Sequence, residues 1–161
     1  MSGNSRVGIG YDTHRLIEGR ALVLGGVRID HERGLEGHSD ADVLVHALMD
    51  ALLGAAGMGD IGQHFPDTDV NFRGADSMEL LGVVLSMILE EGWEVANADV
   101  TLLAEKPKIV SHVPAMISRL ESAGMPAGSV NIKATRGEGM GFVGRQEGMA
   151  CLAVALIERE D

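Results

Sequence analysis

Cations are in short supply in this sequence. Thirteen Lys and Arg face 24 Asp and Glu, a formal charge of -11 over 161 residues, and such a surface repels nucleic acid and anionic membrane, which are bound through a surplus of cation. Aromatic residues are scarce too, with three Phe, one Trp and one Tyr. The 45% apolar fraction is therefore aliphatic, and the core is expected from Val, Ile, Leu, Met and Ala. A single cysteine, Cys151, excludes an intrachain disulfide. It lies in the apolar run 149–157, where a reduced thiol packs as a small hydrophobe, so a cytoplasmic, reducing compartment is expected. Residues 1–6 lack the apolar stretch of a signal peptide, and no uncharged apolar run approaches the roughly 18 residues that span a bilayer. Nor is there a repeat, a low-complexity tract or a Pro/Ser linker. One domain over 1–161 is expected, with residues 1–5 loose.

What is present is periodicity punctuated by 22 glycines. Val7, Ile9 and Tyr11 alternate with small or polar residues, as in a half-buried strand ending at Asp12. Leu22-Val23-Leu24, Gly25-Gly26 and Val27-Arg28-Ile29 read as a hairpin, because Gly-Gly supplies the positive φ of a two-residue turn. Leu44, Ala47, Leu48, Ala51, Leu52 and Ala55 then recur at three- and four-residue intervals, predicting a helix from Ser39 or Asp40 to about Gly57. Asp76-Ser77-Met78-Glu79 starts a second helix that stops at Gly92. Residues 95–104 predict a strand, 114–123 a helix, 129–134 a strand and 149–157 a final buried strand. Helices packed on a sheet, in the α/β or α+β class, follow.

Asp12 and His14 are two apart on an extended chain and so point to one side. Asp42, His46 and Asp50 form a polar stripe at four-residue steps along the first helix. Asp12, His14 and His46 can therefore converge on a cation. Two imidazoles and a carboxylate with one position left open suit zinc, with Asp42 or Asp50 orienting His46. The competing reading leaves the strand-end groups solvated and His46 on a helix face. His38-Ser39 offers an imidazole, a hydroxyl and helix N-terminal amides to a phosphate, or Ser39 is a plain N-cap. Phe65-Pro66-Asp67-Thr68-Asp69 reads as a Pro-led turn. Lys106, Lys108, Arg119, Lys133, Arg136 and Arg145 make 106–145 comparatively cationic, which suits a phosphorylated substrate or plain surface solvation. Gly8-x-Gly10 is no dinucleotide fingerprint, since a third glycine is missing and a hairpin follows where a helix is required. With no Gly-x-Ser-x-Gly and no Cys/His pairing, chemistry without a protein nucleophile is expected. His64 and His112 are expected on the surface.

Taken in order, several stretches resemble the 2-C-methyl-D-erythritol 2,4-cyclodiphosphate synthase family. They are Gly10-Tyr11-Asp12-Thr13-His14, Gly37-His38-Ser39-Asp40-Ala41-Asp42 with His46, Gly59-Asp60-Ile61-Gly62, the 65–69 turn with Gly74-Ala75-Asp76-Ser77, residues 104–108, and Lys133-Ala134-Thr135 through Gly141-Phe142-Val143-Gly144-Arg145. The resemblance implies a phosphorus–oxygen lyase of non-mevalonate isoprenoid synthesis, built as a homotrimer of ferredoxin-like α+β subunits. Each subunit would pack helices on one face of a mixed sheet, with active sites between neighbours. It implies Asp12, His14 and His46 as ligands of Zn²⁺, and His38 and Ser39 as holders of a substrate phosphate. Asp60, Ile61, Gly62, Phe65, Pro66, Asp67, Thr68 and Asp69 would line the methylerythritol region. Residues 104–110, including Ala104, Lys106 and Pro107, would cradle cytidine, Lys108 and Lys133 would serve the substrate, and Glu138 would hold Mg²⁺ or Mn²⁺ on the diphosphate. Phe142, Arg145 and Glu147 would sit near a cavity on the trimer axis. The implied catalytic positions are His38, Thr135 and Arg136. Arg136 is a departure, because the family usually has a second threonine there. Either the guanidinium takes its place as a two-pronged donor, or Arg136 faces solvent and Thr135 suffices. The alternative to an enzyme is a noncatalytic trimeric module that binds CDP or an isoprenoid diphosphate.

Overall fold

In the computed structural model, which describes residues 4–160, the chain opens with one long strand, β1 (Ser5–Glu18). Of the residues expected to be loose, 1–3 lie outside the described ones. Ser5 already pairs with Glu158, and the Asn4 carbonyl accepts from the Arg159 N–H at 3.0 Å. The hairpin of β2 (Leu22–Leu24) and β3 (Val27–Ile29) matches the sequence reading, with Gly25 and Gly26 at φ 59° and 71° as a primed turn demands. After the short β4 (Arg33–Leu35) come α1 (Val43–Ala56) and the single-turn α2 (Ile61–His64). Then follow a 3₁₀ turn at Val70–Phe72, α3 (Ser77–Glu90) and β5 (Glu94–Leu103). A second 3₁₀ turn at Val110–His112 leads into α4 (Val113–Ala123) and β6 (Val130–Thr135), and α5 (Gly141–Gly144) precedes the closing β7 (Gly148–Glu158).

The main sheet runs β4-β1-β7-β5-β6, antiparallel except for β5 with β6. It is a mixed sheet with helices against it, an α+β arrangement as expected. The connectivity is not the expected ferredoxin-like β-α-β-β-α-β, because β6 and β7 follow one another and β7 enters the middle of the sheet.

Three expectations change in ways that matter for the site. β1 runs past Asp12 to Glu18, pairing with β7 as far as Arg15. Its apolar residues also face the other way: Val7, Ile9 and Tyr11 are 67%, 69% and 52% exposed, while Gly8 and Gly10 lie under α1. A Cβ on Gly10 would fall 1.8 Å from the Ala47 carbonyl oxygen, and one on Gly8 2.0 Å from that of Ala51. Across the ladder, Gly8 opposes Ala155, Gly10 opposes Ala153 and Asp12 opposes Cys151. This floor of small residues lets the almost fully buried α1 press directly on the sheet, and Cys151 packs there as the small hydrophobe foreseen, its pKa pushed up by burial. Third, α1 begins at Val43 because Ala41 takes φ 55° and Asp42 supplies the N-cap, accepting from the Val45 N–H at 3.2 Å. Ser39 is not the cap. The last strand is buried over 148–151 as expected, but beyond that Leu152 and Val154 continue the exposed stripe of β1.

Candidate active site

Residues 8, 10, 12 and 14 share one face of β1. The glycines bring α1 close, and past them the same face carries Asp12 and His14 toward His46 in the first turns of the helix. Asp12 Oδ2 lies 2.8 Å from His14 Nε2 and 3.1 Å from His46 Nδ1, and those two nitrogens are 3.3 Å apart. The three ligand atoms fall within 4.8 Å of one another. The outer ring nitrogens are engaged elsewhere: His14 Nδ1 donates to the Glu36 carbonyl at 2.7 Å, and His46 Nε2 lies 2.9 Å from Ser77 Oγ and 3.2 Å from Ser39 Oγ. The inner nitrogens, His14 Nε2 and His46 Nδ1, both face the Asp12 carboxylate, a donor set that could hold a cation between them. Burial works to raise the Asp12 carboxyl, but contacts with His14 and His46 outweigh it and bring it down to about 2. For His14, burial disfavours the charged form, yet Asp12 beside it raises the ring above its ordinary value.

This cluster opens into a cavity of about 370 Å³. His38, Ser39, Ile61, Gly62, Phe65, Pro66, Asp67 and Thr68, eight of the residues singled out in the sequence, line it. Asp60 and Asp69 do not. Asp60 caps α2 by accepting from the Gln63 N–H at 3.0 Å, and Asp69 accepts from the Asn71 N–H at 2.9 Å. The sequence reading missed Gly37, Met49, Phe72 and Leu80 in the wall. Met49 and Leu80 sit on helices whose apolar periodicity signals core alone, and Phe72 lies in a 3₁₀ turn too short to have a period.

Asp42 and Asp50 are corrections. The Asp42 carboxylate accepts from Gly25 N at 3.0 Å, Gly26 N at 2.7 Å and Val45 N, tying the hairpin to α1. Asp50 accepts from Ile61 N at 2.8 Å and anchors α2. Burial, with the charges of Asp60 and Asp12, raises the Asp50 carboxyl despite that bond. Neither carboxylate hydrogen-bonds to the His46 ring. Ser77 does, and its hydroxyl is bound in turn by Asp40.

A second cavity of about 620 Å³ brings residues 104–110, the stretch expected to cradle cytidine, together with Thr135 and Arg136. Ala134 and His31 also line it, and His31 was invisible in sequence because it arrives from the loop after β3. Arg136 does not simply point to solvent. It is 60% exposed, yet its Nη2 donates to Glu105 Oε1 at 2.8 Å, while Gly137 N donates to Oε2 of the same carboxylate at 2.9 Å. Lys133 lies outside both cavities, its ammonium paired with Asp99. Glu138 is exposed at φ 53° in the turn before α5 and lines neither. Phe142 and Glu147 flank a separate hollow of about 270 Å³ with Thr13 and His14, and Arg145 pairs with Glu147 at 3.0 Å. His64 and His112 are half-buried rather than exposed; His64 Nε2 donates to the Met58 carbonyl at 2.7 Å.

The chain can now be set beside known proteins. Residues 5–158 match the model of the YgbB family. A 2-C-methyl-D-erythritol 2,4-cyclodiphosphate synthase from Symbiobacterium thermophilum is 60% identical over 152 residues, 94% of this chain and 97% of that one. One from Bordetella avium is 53% identical over 156 residues, 96% of each chain. Among solved structures, the bifunctional IspDF of Campylobacter jejuni superposes with a TM-score of 0.94 at 43% identity. It covers 99% of this chain, which spans only 44% of that bifunctional protein. A CDP-bound 2C-methyl-D-erythritol-2,4-cyclodiphosphate synthase gives 0.86 at 36% identity, covering 95% of this chain and 100% of its own. With a matching family model over nearly all its length, and relatives of this identity over the same residues, the chain belongs to the YgbB family of 2-C-methyl-D-erythritol 2,4-cyclodiphosphate synthases.

Proposed function

We propose that the chain acts on 4-diphosphocytidyl-2-C-methyl-D-erythritol 2-phosphate in the cytoplasm, as a homotrimeric phosphorus–oxygen lyase of non-mevalonate isoprenoid synthesis. The 2-phosphate attacks the β-phosphorus of the same molecule; CMP leaves and 2-C-methyl-D-erythritol 2,4-cyclodiphosphate is formed. The observation that carries this reading is the convergence of Asp12, His14 and His46 at the base of a cavity walled by His38 and Ser39. The donor set suits Zn²⁺, and Glu138 is the candidate holder of Mg²⁺ or Mn²⁺; such ions supply positive charge that offsets repulsion among the phosphates.

The rest is done by the chain. Ser39 Oγ accepts from the Ala41 N–H at 3.2 Å, which leaves its hydroxyl proton for a phosphate oxygen beside His38. Lys106, Lys108 and Arg136 give the second cavity the cations that a nucleotide diphosphate needs, and Thr135 adds a hydroxyl donor there. A phosphate nucleophile is already anionic at neutral pH, so no general base is required. Holding attacker and target in line is worth roughly 7 to 11 kcal/mol of the barrier.

The two cavities share no lining residue, so a substrate using both is best served by two copies of the chain. The exposed stripe supports the same reading: Tyr11 sits opposite Leu152 and Ile9 opposite Val154 on the face away from α1, an apolar surface of the kind that oligomers cover. Incubation with substrate, Zn²⁺ and Mg²⁺ tests the proposal by phosphorus NMR. Stoichiometric CMP with a cyclic diphosphate is expected. Ring-free monophosphate products would indicate a hydrolase, and substrate left intact would indicate a noncatalytic binding module.

A further inference from the structure

We propose that Asp40 and Ser77 are positioning residues that set the tautomer of His46, so that its Nδ1 lone pair faces Asp12 and His14. Ser77 is the first residue of α3 and fully buried, yet its hydroxyl does not cap the helix. That task falls to Asp76, which accepts from the Met78 N–H at 2.8 Å. The Ser77 hydroxyl instead lies between two partners, His46 Nε2 at 2.9 Å and the Asp40 carboxylate. Asp40 Oδ2 also accepts from the Ser77 N–H at 2.9 Å, and Oδ1 from the Asp42 N–H at 3.2 Å, so the carboxylate is held by three donors.

The direction of the chain follows from proton inventory. A carboxylate has only acceptors, so the Ser77 proton goes to Asp40. Ser77 Oγ then has only lone pairs to offer His46, and Nε2 must carry a hydrogen. A neutral imidazole has one N–H, so Nδ1 is left bare on the side of Asp12 Oδ2. The arrangement matters because Ser39 Oγ is 3.2 Å from the same Nε2 with an uncommitted proton. Were Ser39 to donate to Nε2, the hydrogen would move to Nδ1 and cap the atom that faces the cluster. Asp40 and Ser77 exclude that state and leave the Ser39 proton for the cavity. Asp42 and Asp50, the neighbours on the helix stripe, are occupied by backbone amides and cannot do this.

The inference rests on the metal-holding role proposed above for His46, and two readouts separate them. Nitrogen-15 spectra of the metal-free protein, at a pH about two units above the ordinary histidine value, report which ring nitrogen is protonated. Chelator competition reports zinc affinity. The wild type should show His46 with hydrogen on Nε2, and Ser77→Ala and the isosteric Asp40→Asn should each show a mixture of tautomers. Each should bind zinc about 10- to 100-fold more weakly, and the double variant no more weakly than the worse single, since both act through one chain of bonds. Asp40→Asn carries the test should Ser77→Ala fail to fold. The proposal is overturned if the variants keep the wild-type tautomer and bind zinc within about twofold of it, or if the two losses multiply. A wild type that holds the tautomer but takes up no zinc sinks the metal reading and leaves the positioning role standing.

Discussion

One buried carboxylate, Asp42, ties the β2–β3 turn to the start of α1 through three backbone amides. Burial, with the charge of Asp40 adding to it, pushes this carboxyl up to about 6 against those donors. Because the folded value lies above the ordinary 3.8, the folded state binds the proton more tightly, so this group's contribution to stability falls as pH rises from about 4 to 6. Asp42→Asn removes the titration but strands one amide, at a cost of about 1–3 kcal/mol. Urea unfolding should therefore show the wild type's advantage over Asp42→Asn largest near pH 4 and smaller near pH 7. An advantage that grows with pH would mean that Asp42 is ionised throughout. At Arg136 the bond to Glu105 holds the guanidinium at the rim of the second cavity with its remaining donors free among the described residues. Arg136→Thr should raise KM and lower turnover by about tenfold, the worth of one charge-assisted hydrogen bond. An unchanged or faster enzyme removes the case for the arginine. The convergence of Asp12, His14 and His46 was legible because parity along a strand and four-residue steps on a helix reduce to geometry. The neighbours of His46 Nε2 were not, since Ser77 reaches it only through the packing of α3 on α1, and Asp40 only through the Ser77 hydroxyl.

Local chemistry made some elements readable almost to the residue. The Gly-Gly hairpin and the Asp76 cap of α3 were found where predicted, each specified by residues adjacent in sequence. β4, α2 and α5 left no mark, because three or four residues cannot display a period. β1 was recognised as a strand but assigned the wrong buried face. Alternation alone cannot tell an apolar stripe facing the core from one facing a partner, and here the glycines facing α1 decide it. Gly10→Ala tests this directly. A methyl 1.8 Å from the Ala47 carbonyl oxygen must lift α1 from the sheet, so the melting temperature should drop steeply and zinc affinity with it, since His46 moves away from Asp12 and His14. Thr13→Ala, on the outer face of the same strand, should change zinc affinity little. Equal losses in both variants would show that the close approach of α1 is not what assembles the ligands.

For the whole molecule the open question is where one catalytic unit begins and ends. The metal-type cluster and the cationic cavity occupy separate regions of one chain, and the Val7, Ile9 and Tyr11 stripe is exposed. If sites form between copies, each takes its first cavity from one chain and its second from a neighbour. Asp12→Ala disables the first cavity and Lys108→Ala the second, so each variant alone should be nearly inactive. Refolded together in equal amounts, they assemble at random, and about one site in four unites an intact first cavity with an intact second. Recovery of about a quarter of wild-type turnover is therefore expected in the mixture, with none from the variants assayed apart. Ile9→Lys, which charges the stripe, should abolish that recovery and make the unmixed enzyme's activity depend on protein concentration. A mixture no more active than the sum of its parts would place both cavities' work within a single chain and leave the stripe without its proposed purpose.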